Sequence, residues 1–221
     1  MSHINTVLLF IALFERITLA SMATLNERDE ITRNKTKNIQ SNKIKIDIYY
    51  ETLCPGSINF FEMELQPVVE KLSAYLDLKL IPYGFAKTLF FAGRYSFLCQ
   101  HGPLECFGNK IHSCVINVLR NNTKAALVNS CLMKYARTIG ARRLSYKMVM
   151  NWCTYNLNVN TKAVWRCVHS VKGDYLLSGN GNATYAKRPP YVPYVEISNA
   201  AGRPLEVTGH LMLAVCRHAR P

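Results

Sequence analysis

IKIDIYYETLCPGS, residues 44–57, is the stretch on which the fold turns. Its first half, Ile44 to Tyr50, alternates in the way a half-buried strand does. From Ser57 onward, Phe61, Leu65, Val68, Val69, Leu72 and Leu76 recur at helical spacing. Cys54 stands at the junction. A side chain there faces the unpaired N–H groups of a helix N-terminus, which favour an anion, and the thiolate is the nucleophilic form of cysteine. Pro55 suits the first helical turn, where its missing donor costs nothing. Strand, Cys-x-x-Cys, helix is the arrangement of thiol–disulfide exchange chemistry, but here Ser57 fills the fourth position.

Working outward, residues 77–82 (DLKLIP) read as a second strand, completing a β-α-β unit. Pro67 falls inside the intervening helix and is expected to kink it, because it removes a donor and crowds the preceding turn. Residues from about 90 to 175 read as helical throughout. A strand is predicted at Tyr194–Ile197, a turn at Asn199–Gly202, a strand at Pro204–Val207 and a closing helix from near Thr208. At the other end, the apolar run 7–14 (VLLFIALF) is too short to span a bilayer. With the small residues Ala20 and Ala23 after it, it reads as a secretory signal peptide over 1–23. Residues 24–43 form a polar, mobile leader, and 44–218 the folded domain. No other stretch could cross a membrane.

The eight cysteines are Cys54, Cys99, Cys106, Cys114, Cys131, Cys153, Cys167 and Cys216. Such density is rare where thiols are kept reduced and common in oxidising compartments. Sequons at Asn34, Asn121 and Asn182 fit the same route, so the expected product is a secreted or endolysosomal glycoprotein. The net charge of +13 could draw in nucleic acid, anionic lipid or sulfated glycans. No nucleic-acid recognition module is visible and aromatic residues do not alternate with the basic ones. The charge reads as a solvated basic surface, with no nucleic-acid partner.

Cys114, Cys131, Cys153, Cys167 and Cys216 each share an apolar helical stripe, so they are expected to point inward and to pin helices together as disulfides. Cys99 and Cys106 are further candidates for bridges, and the connectivity stays open. If Cys54 is free, seven cysteines remain and at least one more is unpaired. Cys54 itself could be half of a structural disulfide or a reactive thiol; its place at the strand-to-helix junction favours the second. Cys99, His101, Cys106, His112 and Cys114 could be taken for a zinc cluster, but their gaps are not the short knuckle spacing of structural zinc, and no metal is predicted.

The segment 99–114, CQHGPLECFGNKIHSC, matches C-Q-H-G-x-x-E-C-x-x-N-x-x-x-x-C at every fixed position. It resembles the signature of the gamma-interferon-inducible lysosomal thiol reductases. The similarity extends from about 44 to 217, through YYETLCPGS, LIPYGFA and YVPYVEISNAAGRPLE. The resemblance implies an α/β (α+β) thioredoxin-like fold with a disulfide-stapled helical insertion over about 90–175. It implies reduction of protein disulfides at acidic pH, in endolysosomes or after secretion. Cys54 matches the attacking cysteine, and Pro193 the cis-proline beside it. Ser57 stands at the resolving position of the vertebrate enzymes, where its hydroxyl is expected to hydrogen-bond the Cys54 thiolate. Phe85 departs from the asparagine common after the PYG run. With no resolving thiol and no cofactor, release of substrate calls for an external thiol such as free cysteine or glutathione. Two rival readings are a binding or scaffold protein that kept the fold and lost turnover, and a basic secreted protein acting on microbial or glycan surfaces.

Overall fold

A computed structural model describes residues 43–198 and 203–218. The expected signal peptide, nearly all of the expected leader with Asn34, and the expected turn at 199–202 lie outside the described residues. The chain runs β1 (Ile44–Tyr50), α1 (Pro55–Phe60), a π-helical turn (Phe61–Leu65), α2 (Gln66–Leu72), a short 3-10 turn (Ser73–Tyr75) and β2 (Leu76–Pro82). A hairpin follows, β3 (Lys87–Phe91) and β4 (Arg94–Leu98). Next come six helices: α3 (Pro103–Leu119), α4 (Asn122–Lys134), α5 (Ala136–Gly140), α6 (Tyr146–Thr154), α7 (Thr161–Val168) and α8 (Val171–Lys187). The domain closes with β5 (Tyr194–Ser198), β6 (Pro204–Glu206) and α9 (Leu211–His218).

The main sheet has the order β2-β1-β5-β6. β1 and β2 are parallel, as a β-α-β crossover requires, while β5 runs antiparallel to β1 and β6 antiparallel to β5. The alternation in β1 buries Ile44, Ile46, Ile48 and Tyr50 in one core with Phe61, Leu65 and Val68 of the first helical stretch. Leu211 and Val215 of α9 close that core. A second core, built from Ile111, Val115, Val128, Leu132, Val149, Met150 and Val164, lies among the helices. α4 joins the two: Ala126 and Met133 belong to the sheet core, Val128 and Leu132 to the helical one.

Three disulfides fasten the helical layer. Cys114–Cys167 ties α3 to α7, Cys131–Cys153 ties α4 to α6, and Cys99–Cys106 closes the loop that enters α3. Cys216 corrects the stripe reading. Its thiol is unpaired and exposed, because the inward face of α9 is carried by Leu211 and Val215 and Cys216 falls beyond its edge.

Other departures have local causes. Residues 87–98 form a hairpin that overlaps the start of the helical stretch expected from about 90, turning on Ala92 (φ 48°) and Gly93 (φ 77°). Both φ values are positive, as a two-residue hairpin turn demands. At the far end, α8 runs to Lys187 despite its glycines. One of them, Gly181, lies against the Tyr83 ring, where an added Cβ would come within 2.7 Å of ring carbons. Pro67 sits at the start of α2, directly after the π-helical turn, so the irregularity falls in the turn that would have crowded its ring. Among the described residues no helix is long and apolar enough to cross a membrane.

Candidate active site

The site begins where β1 ends. Tyr50, fully buried, brings its hydroxyl 2.9 Å from His112 Nδ1 and accepts a hydrogen bond from Asn129 Nδ2. Burial lowers His112 to about 3, so the ring is neutral where it meets the Tyr50 hydroxyl. The next residues leave the sheet with no strand partner for their N–H groups, and α3 supplies acceptors instead. The Thr52 N–H donates to Asn109 Oδ1 at 3.0 Å and the Leu53 N–H to Glu105 Oε2 at 3.2 Å. The Thr52 hydroxyl donates to the Glu105 carbonyl at 3.2 Å. Glu105 and Asn109 lie four residues apart, hence on one helix face, which is how one helix grips consecutive amides of the loop.

Cys54 follows as the N-cap of α1, in extended conformation, its carbonyl accepting from the Ile58 N–H at 2.9 Å. Pro55 occupies the first helical turn. The thiol is free and half-buried. Its sulfur lies 3.8 Å from the carbonyl oxygen of Val192, and the Val192–Pro193 peptide bond is cis. Gly56 marks the approach: an added Cβ there would stand 3.5 Å from Pro193 Cδ and 3.8 Å from Cys54 Sγ. Cys54, Gly56 and Pro193 therefore meet at one surface point, although 138 residues separate Cys54 from Val192 in the chain.

Ser57 differs from its expected role. It is fully buried, and its Oγ accepts from the Glu51 N–H at 3.4 Å. The hydrogen bond of the Cys54 sulfur runs to the Val192 carbonyl instead. Helical side chains lean back toward the N-terminus, which carries the Ser57 hydroxyl under the end of β1 to satisfy a backbone donor there.

A buried polar cluster lies beside the loop. Glu51 Oε1 accepts from the Phe85 N–H at 2.6 Å, while its Oε2 has no hydrogen-bond partner. His101 Nδ1 is 2.6 Å from Glu105 Oε2 and 3.6 Å from Glu51 Oε2. The His101 N–H donates to Glu105 Oε1 at 3.0 Å. Burial raises Glu51 to about 7, opposed by the Phe85 N–H, reinforced by the Glu105 charge and opposed by His101. Gly84, at φ 63°, makes room, since any side chain there would run into Glu51. Glu51, Glu105 and Asn109 were not among the site residues expected from the sequence. The signal was present, because Glu105 and Asn109 are fixed positions of the 99–114 pattern.

Two hollows flank the site. A groove of about 360 Å³ runs past Pro193, lined by Phe60, Met63, Tyr191, Val195 and Val207 among others. A second, of about 490 Å³, is lined by Tyr83, Phe85, Lys87, Asn182, Tyr185 and Arg188 among others. The sequon residue Asn182 is thus exposed on α8, and Asn121 caps α4 by accepting from the Lys124 N–H at 2.9 Å. The cysteines of the conceivable zinc cluster are all in disulfides: Cys99 with Cys106, and Cys114 with Cys167.

Residues 45–157 match the family model described as gamma interferon inducible lysosomal thiol reductase. A gamma-interferon-inducible lysosomal thiol reductase of Carassius auratus is 32% identical over 177 residues, covering 78% of this chain and 67% of the relative. GILT-like protein 1 of Drosophila melanogaster is 32% identical over 164 residues, covering 67% of this chain and 62% of its own. The chain spans roughly two thirds of the length of these relatives. Among solved structures, MdbA, a thiol-disulfide oxidoreductase from Actinomyces oris, superposes with a TM-score of 0.56 at 14% identity over 81% of this chain and 82% of its own. At that identity the likeness speaks to the fold, which is thioredoxin-like.

Proposed function

The chain belongs to the gamma-interferon-inducible lysosomal thiol reductase family, and from that premise we propose that it is a thiol–disulfide oxidoreductase working through one cysteine. The observation that carries this is Cys54: a free, half-exposed thiol at a helix N-terminus, against a cis-proline, with no second thiol at position 57.

The Cys54 thiolate attacks one sulfur of a substrate disulfide. A Cys54–substrate S–S bond forms, the substrate S–S bond breaks, and the departing sulfur takes up a proton. A dithiol enzyme would then resolve itself. Ser57 cannot, so a small external thiol attacks the Cys54 sulfur, releasing the reduced substrate. A second small thiol frees Cys54 and leaves as the small-molecule disulfide. The net reaction consumes two external thiols per protein disulfide. Free cysteine or glutathione fits this role, and no cofactor enters the balance.

The groove past Pro193 gives the substrate a place. It is largely apolar, with Met63 and Tyr191 exposed within it. A polypeptide segment flanking a disulfide would lay an apolar side chain there while its sulfur reaches Cys54. The three disulfides of the helical layer suit an oxidising route and, together with the family, support a secretory path to the lysosome or the cell exterior.

The test is reduction of insulin disulfides at acidic pH, with and without free cysteine. Turnover that needs the small thiol and vanishes in Cys54→Ser supports the reading. Full turnover in Cys54→Ser overturns the single-cysteine mechanism, and no turnover in the native chain at any thiol concentration replaces it with a scaffold that keeps the fold. The basic surface-binding reading would win if alkylated protein bound heparin or bacteria as well as the native form did.

A further inference from the structure

The disulfides remove the thiolates from the conceivable zinc cluster, yet the same loop builds another ligand set. Glu51, His101 and Glu105 each place one ligand atom within 4.8 Å of the others. We propose that these three residues bind one divalent transition-metal ion of the zinc type, through Glu51 Oε2, His101 Nδ1 and Glu105 Oε2, with solvent completing the coordination.

Four observations converge. Glu51 is fully buried and its Oε2, aimed at His101, lacks a hydrogen-bond partner, an arrangement that is costly unless something positive faces it. Both carboxylates are already oriented by backbone donors, Glu51 Oε1 by Phe85 and Glu105 Oε1 by His101. Ligand carboxylates in metal sites are held in this way by outer hydrogen bonds. The glycine at 84 leaves the space that Glu51 occupies. Finally, the His101 side chain is 36% exposed, which gives an ion a way in and gives the imidazole room to move.

The distances set what must move. Tetrahedral coordination with bonds of about 2.0–2.2 Å holds ligand atoms about 3.3–3.6 Å apart. The Glu51–His101 separation of 3.6 Å is close to that already. His101 Nδ1 and Glu105 Oε2, now 2.6 Å apart, must part by less than 1 Å, with the Nδ1 proton leaving to solvent. The ligand chemistry sets the ion. An imidazole and two carboxylates suit zinc-type ions, whereas calcium calls for six to eight oxygens and magnesium for an octahedral, mostly watered shell. Bound there, the ion would clasp the entry to α3 onto the end of β1, three residues before Cys54.

The test is a calorimetric titration of the full chain with Zn²⁺ alone near neutral pH, after Cys54 and Cys216 are capped with iodoacetamide so that no free thiolate competes. The expected result is one ion per chain, with affinity falling at least about tenfold in His101→Ala and in Glu51→Gln and unchanged in His210→Ala, an exposed histidine paired with Glu64. A Co²⁺ spectrum typical of four-coordinate nitrogen and oxygen ligation should accompany it. No binding, or equal affinity in native and His101→Ala protein, overturns the proposal. Should Glu51→Gln fail to fold, His101→Ala at its partly exposed position decides alone.

Discussion

Ser57 is the residue on which the mechanism turns, and its surroundings say what a cysteine there would do. It is fully buried one helical turn after Cys54, with Oγ on the Glu51 N–H. A thiol in that place is held close to the mixed disulfide, which makes release intramolecular and fast. Ser57→Cys is therefore expected to raise insulin-reduction turnover and to lower its dependence on free cysteine. The native chain should accumulate mixed disulfides through Cys54, visible on non-reducing gels and cleared by added cysteine. If Ser57→Cys leaves trapping and turnover alone, release is not limited by the missing thiol. His112 makes a second prediction at this scale. Its folded pKa of about 3 lies below the unfolded value near 6.5, so the unfolded chain binds the extra proton between those values. Its stabilising effect is complete above pH ~6.5 and is lost as pH falls toward 3, costing about 2 kcal/mol by pH ~5. His112→Gln keeps an acceptor for Tyr50 but cannot be protonated. Urea midpoints measured from neutral pH to pH ~5 should fall less steeply in this variant than in the native chain; parallel slopes would show that His112 is not a source of acid lability.

At the scale of elements, what could be read from the sequence followed from how local each signal is. β1, Cys54 and α1 were legible because a period-two run, a cap and Pro55 are all consecutive. The hairpin was not: its turn is Ala92-Gly93 rather than an asparagine–glycine pair, and Leu89, Phe90, Tyr95 and Phe97 suit a helix stripe as well as two strands. The helical reading stopped at about 175, whereas α8 runs on to Lys187, and the contact that fits Gly181 into it, the Tyr83 ring, is tertiary. Cys216 shared a stripe with Met212 and Val215 on paper, yet only Leu211 and Val215 are fully covered. α3 is the element whose meaning was least legible, since a family pattern fixes residue types without saying what they touch. Its Asn109 accepts from the Thr52 N–H and donates to the Tyr83 carbonyl. Asn109→Ala should leave a buried amide unpaired and cost about 1–3 kcal/mol, whereas Lys147→Ala, at an exposed position of α6, should cost almost nothing. Denaturant midpoints check the stability. An alkylation rate for Cys54 that changes in the first variant and not the second would show that the grip of α3 positions the thiol.

Across the whole molecule, Cys54 is borne by elements that build one core, and the groups that hold its loop are borne by a helix of the other. Cys54 sits on the sheet side, while Glu105 and Asn109 ride on α3, whose apolar face lies in the helical core fastened by Cys114–Cys167 and Cys131–Cys153. Those bridges span 53 and 22 residues. By chain entropy the longer is worth about 4 kcal/mol and the shorter about 3. Opening one bridge should therefore loosen the helices before the sheet, and the effect should reach Cys54 through the loop amides. The variant Cys114→Ala with Cys167→Ala tests this without creating new thiols. Its urea midpoint should fall markedly. Under conditions where it stays folded, the Thr52 and Leu53 amides should exchange hydrogen faster, while Ile46 and Ile48 in the centre of the sheet change little. Insulin reduction should drop in step with the loop amides, although no residue near the sulfur has changed. Protection of Thr52 and Leu53 equal to that in the native chain, alongside lower stability, would mean that the loop is held from the sheet side alone and that the disulfides serve the helical layer only.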